Sequence, residues 1–161
     1  YADETRPLLQ GSRLTAWELH KDGMNYLVQA DGAAASTIMR GLVDFAVIGA
    51  DRIAKNGDTA NKIGSLGVAL ACKEASIPFM VAAPSSTVDL SYENGDEIEI
   101  ELRSPVEVTN LHGVQTAPEL DKGFNPAFDV TPGRFISAVV TEHGVAETNK
   151  GETVEKLVAN D

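Results

Sequence analysis

Residues 49–64 gather Asp51, Asp58, Asn61 and Lys62, with Arg52, Lys55, Asn56 and Thr59 interspersed among three glycines. That is more donor and acceptor capacity than a structural turn needs. A carboxyl group beside an amide and an ammonium suits acid-assisted chemistry on a phosphorylated small molecule: the carboxyl delivers a proton while the cation and amide hold the anion. Asp51 is the candidate acid, and Asn61 and Lys62 are the candidate anion ligands. Each also has a purely structural reading: Asp51 as an ion-pair partner of Arg52 or a turn former, Asn61 as a helix cap, Lys62 as a surface lysine. Residues 56–59 read as scaffold, with Asp58 shaping a Gly-Asp turn.

The elements around this stretch must position it. The apolar run 45–48 reads as a buried strand and the pattern over 63–75 as a helix, which makes 49–62 a strand-to-helix loop. In open α/β sheets ligands bind outside the carboxyl ends of the strands, and a helix N-terminus beside Asn61 and Lys62 favours an anion. Upstream, residues 1–3 read as the end of a truncated first strand, 7–20 as a helix, 26–28 as a short strand, and 33–42 as a helix with Asp31 as its N-cap. Residues 78–83 form another buried strand.

Strand and helix thus alternate with short loops, with strands apolar on both faces. The fold class is α/β: a Rossmann-like, open, mainly parallel sheet with helices on both faces. Loops 3–10, 30–33 and 49–62 then share one edge, and their polar residues are expected to converge. Further on, 93–105 alternates acidic and apolar residues like an exposed edge strand or arm. Residues 109–125 read as a long loop, 127–131 as a last strand, and 133–141 as a helix opened by Pro132. Residues 145–161 read as a C-terminal tail, helical or frayed.

Composition narrows the function. The 161 residues, 43% apolar, suffice for one domain with its own core. A formal charge of −11 disfavours nucleic acid as a partner. The single cysteine, Cys72, lies within a helical apolar pattern and reads as a buried structural thiol. His20, His112 and His143 have no ligand spacing, so no metal site is expected. Nucleophile-elbow, Walker and dinucleotide-glycine patterns are absent, and no apolar run reaches membrane-spanning length. The expectation is a cytoplasmic, soluble protein.

Glu4-Thr5-Arg6-Pro7-Leu8-Leu9-Gln10-Gly11, Leu14-Thr15-Ala16-Trp17-Glu18-Leu19, Gly49-Ala50-Asp51-Arg52-Ile53-Ala54, Asn56-Gly57-Asp58-Thr59-Ala60-Asn61-Lys62-Ile63-Gly64 and Phe128-Asp129-Val130-Thr131-Pro132 together resemble the methylthioribose-1-phosphate isomerases. The regulatory subunits of the translation-initiation exchange factor and the ribose-1,5-bisphosphate isomerases share the Asn-Lys-Ile-Gly portion. The resemblance implies conversion of 5-methylthioribose 1-phosphate to 5-methylthioribulose 1-phosphate in methionine salvage, by hydride shift or enediol, with no cofactor. It implies Asp51 as proton donor, and Gln10, Asn61 and Lys62 as substrate ligands, in a homodimer.

By the same resemblance, residues 1–144 correspond to a Rossmann-like C-terminal catalytic domain. The family's N-terminal domain, with a substrate-binding arginine-glycine element and a catalytic cysteine that Cys72 does not match, has no counterpart in these residues. A regulatory binding module and a ribose-1,5-bisphosphate isomerase are the alternatives. The isolated polypeptide is expected to show little or no isomerase activity; robust turnover of the sugar phosphate by these 161 residues alone would overturn that expectation.

Overall fold

The computed structural model describes residues 1–158 of a mixed α/β chain. In order, the strands are β1 (Ala2–Asp3), β2 (Val28–Gln29), β3 (Ala46–Ile48), β4 (Arg52–Ala54), β5 (Thr59–Lys62) and β6 (Phe79–Ala82). They continue with β7 (Val88–Asp89), β8 (Asn110–Leu111), β9 (Val114–Gln115), β10 (Phe128–Thr131), β11 (Ala138–Thr141) and β12 (Gly144–Ala146). The α-helices are α1 (Ala16–Lys21), α2 (Ala34–Met39), α3 (Ser65–Ala75) and α4 (Val106–Thr109). No described helix is long and apolar enough to cross a membrane. Two compact units result, Tyr1–Ala34 with Ile100–Ala127, and Ala35–Glu99 with Phe128–Asp161.

In the first unit β1 runs parallel to β2, and β8 and β9 form a hairpin. A π-helical stretch, Gly11–Thr15, leads into α1. Only glycine fits at its start, since a Cβ on Gly11 would collide with the Asp3 carbonyl oxygen. Asp31, expected as a helix N-cap, instead accepts hydrogen bonds from the backbone amides of Thr5 and Arg6 at 2.8 and 2.6 Å. Two convergent N–H donors satisfy both its oxygens, which a single cap bond would not.

The second unit holds two four-stranded sheets, ordered β12-β11-β6-β3 and β10-β5-β4-β7. In the first of them β3, β6 and β11 are parallel and β12 turns back antiparallel. Small residues on α3, Ala69 and Cys72, join Phe79, Val81 and Val139 in one fully buried cluster, which lets helix and sheet approach closely. Burial pushes the Cys72 thiol up, consistent with a structural role.

Several expectations are corrected here. The α/β class stands, but the parallel pairs are spread over three sheets, with β3, β6 and β11 in one, β4 and β7 in a second and β1 and β2 in a third, and β10 pairs antiparallel with β5. Residues 49–62 are no simple loop: they fold as the β4–β5 hairpin, whose Ile53, Ala54, Thr59 and Ala60 are buried. Residues 133–141 form a 3-10 turn and then β11 instead of a helix. Ala138-Val139-Val140-Thr141 is rich in β-branched residues, and Val139 packs inside the sheet core.

The region expected to be a tail, helical or frayed, contributes β12 and a 3-10 turn, Val154–Leu157, whose buried Val154 and Leu157 join the core. The acidic stretch 93–105 holds a 3-10 turn, Gly95–Glu97, and a single bridge, Leu102 to Pro126, in place of a strand. The expected loop 109–125 contains the β8–β9 hairpin.

Asp58 ties the hairpin turn to two distant segments. Its carboxylate accepts from the Gly95 amide at 2.9 Å, the Gly133 amide at 2.7 Å and the Asn56 side chain at 2.9 Å. A Cβ on Gly95 would meet Asp58 and Val130 side-chain atoms at 2.9 and 2.5 Å, and one on Gly133 would meet the Asn56 carbonyl oxygen at 2.8 Å. Burial pushes the Asp58 carboxyl up, but these donors outweigh it and hold the pKa below its ordinary value. The native state therefore binds the proton less tightly than the unfolded chain. The resulting stabilisation is present above pH 3.8, the ordinary value, and is lost as pH falls through the native value. Asp58→Ala should destabilise by about 1.5–3 kcal/mol in urea titrations at pH 7, with the gap to the parent chain narrowing as the pH is taken below that ordinary value.

Candidate active site

β4 and β5 run antiparallel, so Asp51, just before β4, and Asn61 and Lys62, at the end of β5, lie at the same open end of the hairpin. That end follows the carboxyl terminus of β3 and precedes α3. The Asp51 amide donates to the Ala60 carbonyl at 2.8 Å, although Ala60 is already the register partner of Arg52. Two residues thus face one, the count that defines a β-bulge, and bulges re-aim side chains at strand ends. Asp51 is exposed.

The ion pair with Arg52 that would have made Asp51 structural does not form. The Arg52 guanidinium bonds Asp89 at 2.6 Å and lies 5.8 Å from the centre of the Tyr92 ring. Among the described residues, no hydrogen bond or ion pair reaches the Asp51 carboxylate. The Lys62 ammonium is likewise without a carboxylate partner there and stands 4.6 Å from the centre of the Phe128 ring. The hairpin thus presents one unpaired acid and one unpaired cation at one end. Asn61 donates to Ser65 Oγ at 2.8 Å, and Ser65 in turn donates to the Lys62 carbonyl at 2.8 Å. This pins the link from strand to helix. As consecutive strand residues, Asn61 and Lys62 face opposite sides of β5.

The helix N-terminus expected to be an anion site already holds one. Asp129, the cross-strand partner of Asn61, accepts from the amides of Gly64 at 2.8 Å and Leu66 at 3.1 Å. Gly64 is the N-cap of α3 with φ at 109°, a conformation that glycine adopts without strain. Burial pushes the Asp129 carboxyl up, and the two amides only partly offset it. Sequence reasoning gave Asp129 no role, because its partners lie more than sixty residues away.

Gln10 lies in the other unit, immediately before the π-helical stretch. Its side-chain oxygen is buried without a hydrogen-bond partner among the described residues. An acceptor left in that state costs about 1–3 kcal/mol. Thr5 and Leu9 nearby in sequence hold φ at 63° and 60°, strained values for residues other than glycine. A π-helix and left-handed backbone beside an orphan acceptor are features that spacing alone does not reveal.

A family model described as the initiation factor 2 subunit family matches residues 1–148. The chain belongs to that family. A methylthioribose-1-phosphate isomerase from Geobacter sulfurreducens is 57% identical over 99% of the chain, which covers 46% of that relative. A crystal structure of 5-methylthioribose 1-phosphate isomerase from Pyrococcus horikoshii OT3 superposes with a TM-score of 0.87 at 47% identity, over 91% of this chain and 41% of that one. The delta subunit of translation initiation factor eIF-2B from A. fulgidus gives a TM-score of 0.88 at 39% identity, over 96% of this chain and 45% of that one. The chain therefore spans about half the length of the curated relatives it matches.

Removing the internal anion should loosen the first turn of α3. Asp129→Ala is expected to destabilise by about 0.5–2 kcal/mol in thermal or urea melts, while Asp129→Asn, which keeps an acceptor, should lose less.

Proposed function

We propose that the full-length protein carrying this chain is an aldose-ketose isomerase that converts 5-methylthioribose 1-phosphate to 5-methylthioribulose 1-phosphate in methionine salvage. The observation that carries this reading is the unpaired Asp51 carboxylate and the unpaired Lys62 ammonium at the open end of one hairpin. A 57% identical relative bearing that enzyme name supports it. The anomeric phosphate prevents simple ring opening to a free aldehyde. In the proposed reaction Asp51, in its protonated form, gives its proton to the ring oxygen as the bond from that oxygen to C1 breaks. Hydrogen then moves from C2 to C1, by hydride shift or through an enediol, and the C2 hydroxyl proton passes to the Asp51 carboxylate formed in the first step or to solvent, leaving the ketone.

Lys62 is proposed to hold the phosphate, and Asn61, which faces the other side of β5, to contact the substrate at a different group. Gln10 is proposed as a further substrate ligand, its unpartnered amide oxygen being the support. The protein is proposed to work as a cytoplasmic homodimer built on a Rossmann-like frame. The likeness to the eIF-2B delta subunit supports a second reading, a binding module without turnover. Asp51 separates the two, since chemistry needs an acid and binding does not.

The test is an assay of the full-length protein with 5-methylthioribose 1-phosphate and ribose 1,5-bisphosphate. Asp51→Asn should lower kcat by about 10²- to 10⁴-fold with little change in affinity. Lys62→Ala should raise KM by about tenfold to a hundredfold. A full-length protein that binds the sugar phosphate without turning it over would favour the binding module.

A further inference from the structure

We infer that Phe128 is a positioning residue for the phosphate-binding lysine: its ring holds the Lys62 ammonium in place without neutralising it. Phe128 and Lys62 are direct register partners in the antiparallel β10–β5 pair, so their side chains project from the same face. The ammonium stands 4.6 Å from the ring centre, within reach of the electron-rich face of an aromatic ring. The neighbouring carboxylate on β10, Asp129, sits at the next register position and faces the other side of the sheet. It is occupied by the Gly64 and Leu66 amides. The two carboxylates that take up cations on neighbouring β7 and the turn beyond it are Asp89, on Arg52, and Glu93, on Lys55.

An aspartate or glutamate in place of Phe128 would also hold the lysine, but it would cancel the charge that an incoming phosphate needs. A ring holds the ammonium through its quadrupole and leaves the net charge intact. It also restricts a side chain that would otherwise lose rotamer freedom on binding, which is pre-organisation of the anion site. The merely structural role, an apolar filler between strands, would be served equally well by leucine.

The inference rests on the reading that Lys62 binds the phosphate, and the test keeps the two apart. In the full-length protein, Phe128→Leu should raise KM for 5-methylthioribose 1-phosphate by about threefold to tenfold, with kcat within about twofold of the parent. Phe128→Tyr should restore KM. In a Lys62→Ala background, Phe128→Leu should add nothing, as a double-mutant cycle of coupled residues requires. A trifluorinated phenylalanine at position 128 keeps shape and packing while removing the negative face, and it should behave like leucine even if Phe128→Leu folds poorly. Calorimetric binding of the sugar phosphate to Asp51→Asn protein gives the same comparison without turnover. An unchanged KM and binding constant in the fluorinated protein, or an effect that persists without Lys62, overturns the inference. An unchanged KM in Lys62→Ala alone overturns the reading beneath it.

Discussion

The second unit depends on one carboxylate, that of Asp58. Its oxygens accept from Gly95 and Gly133, so the tight end of the β4–β5 hairpin is bolted to segments 37 and 75 residues away. Close approach of these backbones requires glycine at both positions, and each amide must find an acceptor once it is buried there. With the tight end fixed, β5 is held on both edges by β4 and β10, and the direction of its last residues is no longer free. The candidate site sits at the open end and the constraint at the turn. A site built this way draws its rigidity from groups that never touch a ligand.

Asp129 changes how the start of α3 is understood. A helix N-terminus with a glycine cap beside a lysine invites the conclusion that it waits for phosphate. Here a carboxylate of the chain itself meets those amides, and the lysine is turned instead toward an aromatic ring. Electrostatic complementarity of the helix dipole is therefore satisfied internally. The positive charge available to a ligand is that of the side chain, not that of the helix.

The sequence made the candidate residues legible and their setting less so. Asp51, Asn61 and Lys62 stood out because polar groups of three kinds crowded a short stretch after a buried strand, and the hairpin does place them at one end. The hairpin itself was hidden: its strands are short, and Ala54 and Ala60 carry no β signal, so the stretch read as a loop. Pro132 suggested a helix start, yet the β-branched run that follows fills a slot beside β6, where tertiary packing overrides a local signal. The roles of Asp31, Asp58 and Asp129 could not have been read from spacing, since each carboxylate bonds amides far along the chain. The sequence-level candidate Gln10 gained an unpaired buried oxygen, which no pattern of residue types encodes.

Both units are discontinuous: the first closes only with Ile100–Ala127, and the second only with the residues from Phe128 onward. As the chain emerges from the ribosome, β1 and β2 precede the other half of their unit by about 65 residues, since residues 35–99 intervene. The β3–β6 pair is likewise available well before β11, which completes its parallel set. Assembly of the fold is thus dominated by late, long-range pairings, the kind of topology that folds slowly and leaves strand edges open while it does so. The same contacts that fix the hairpin in the finished protein must wait for Gly133, 75 residues after Asp58.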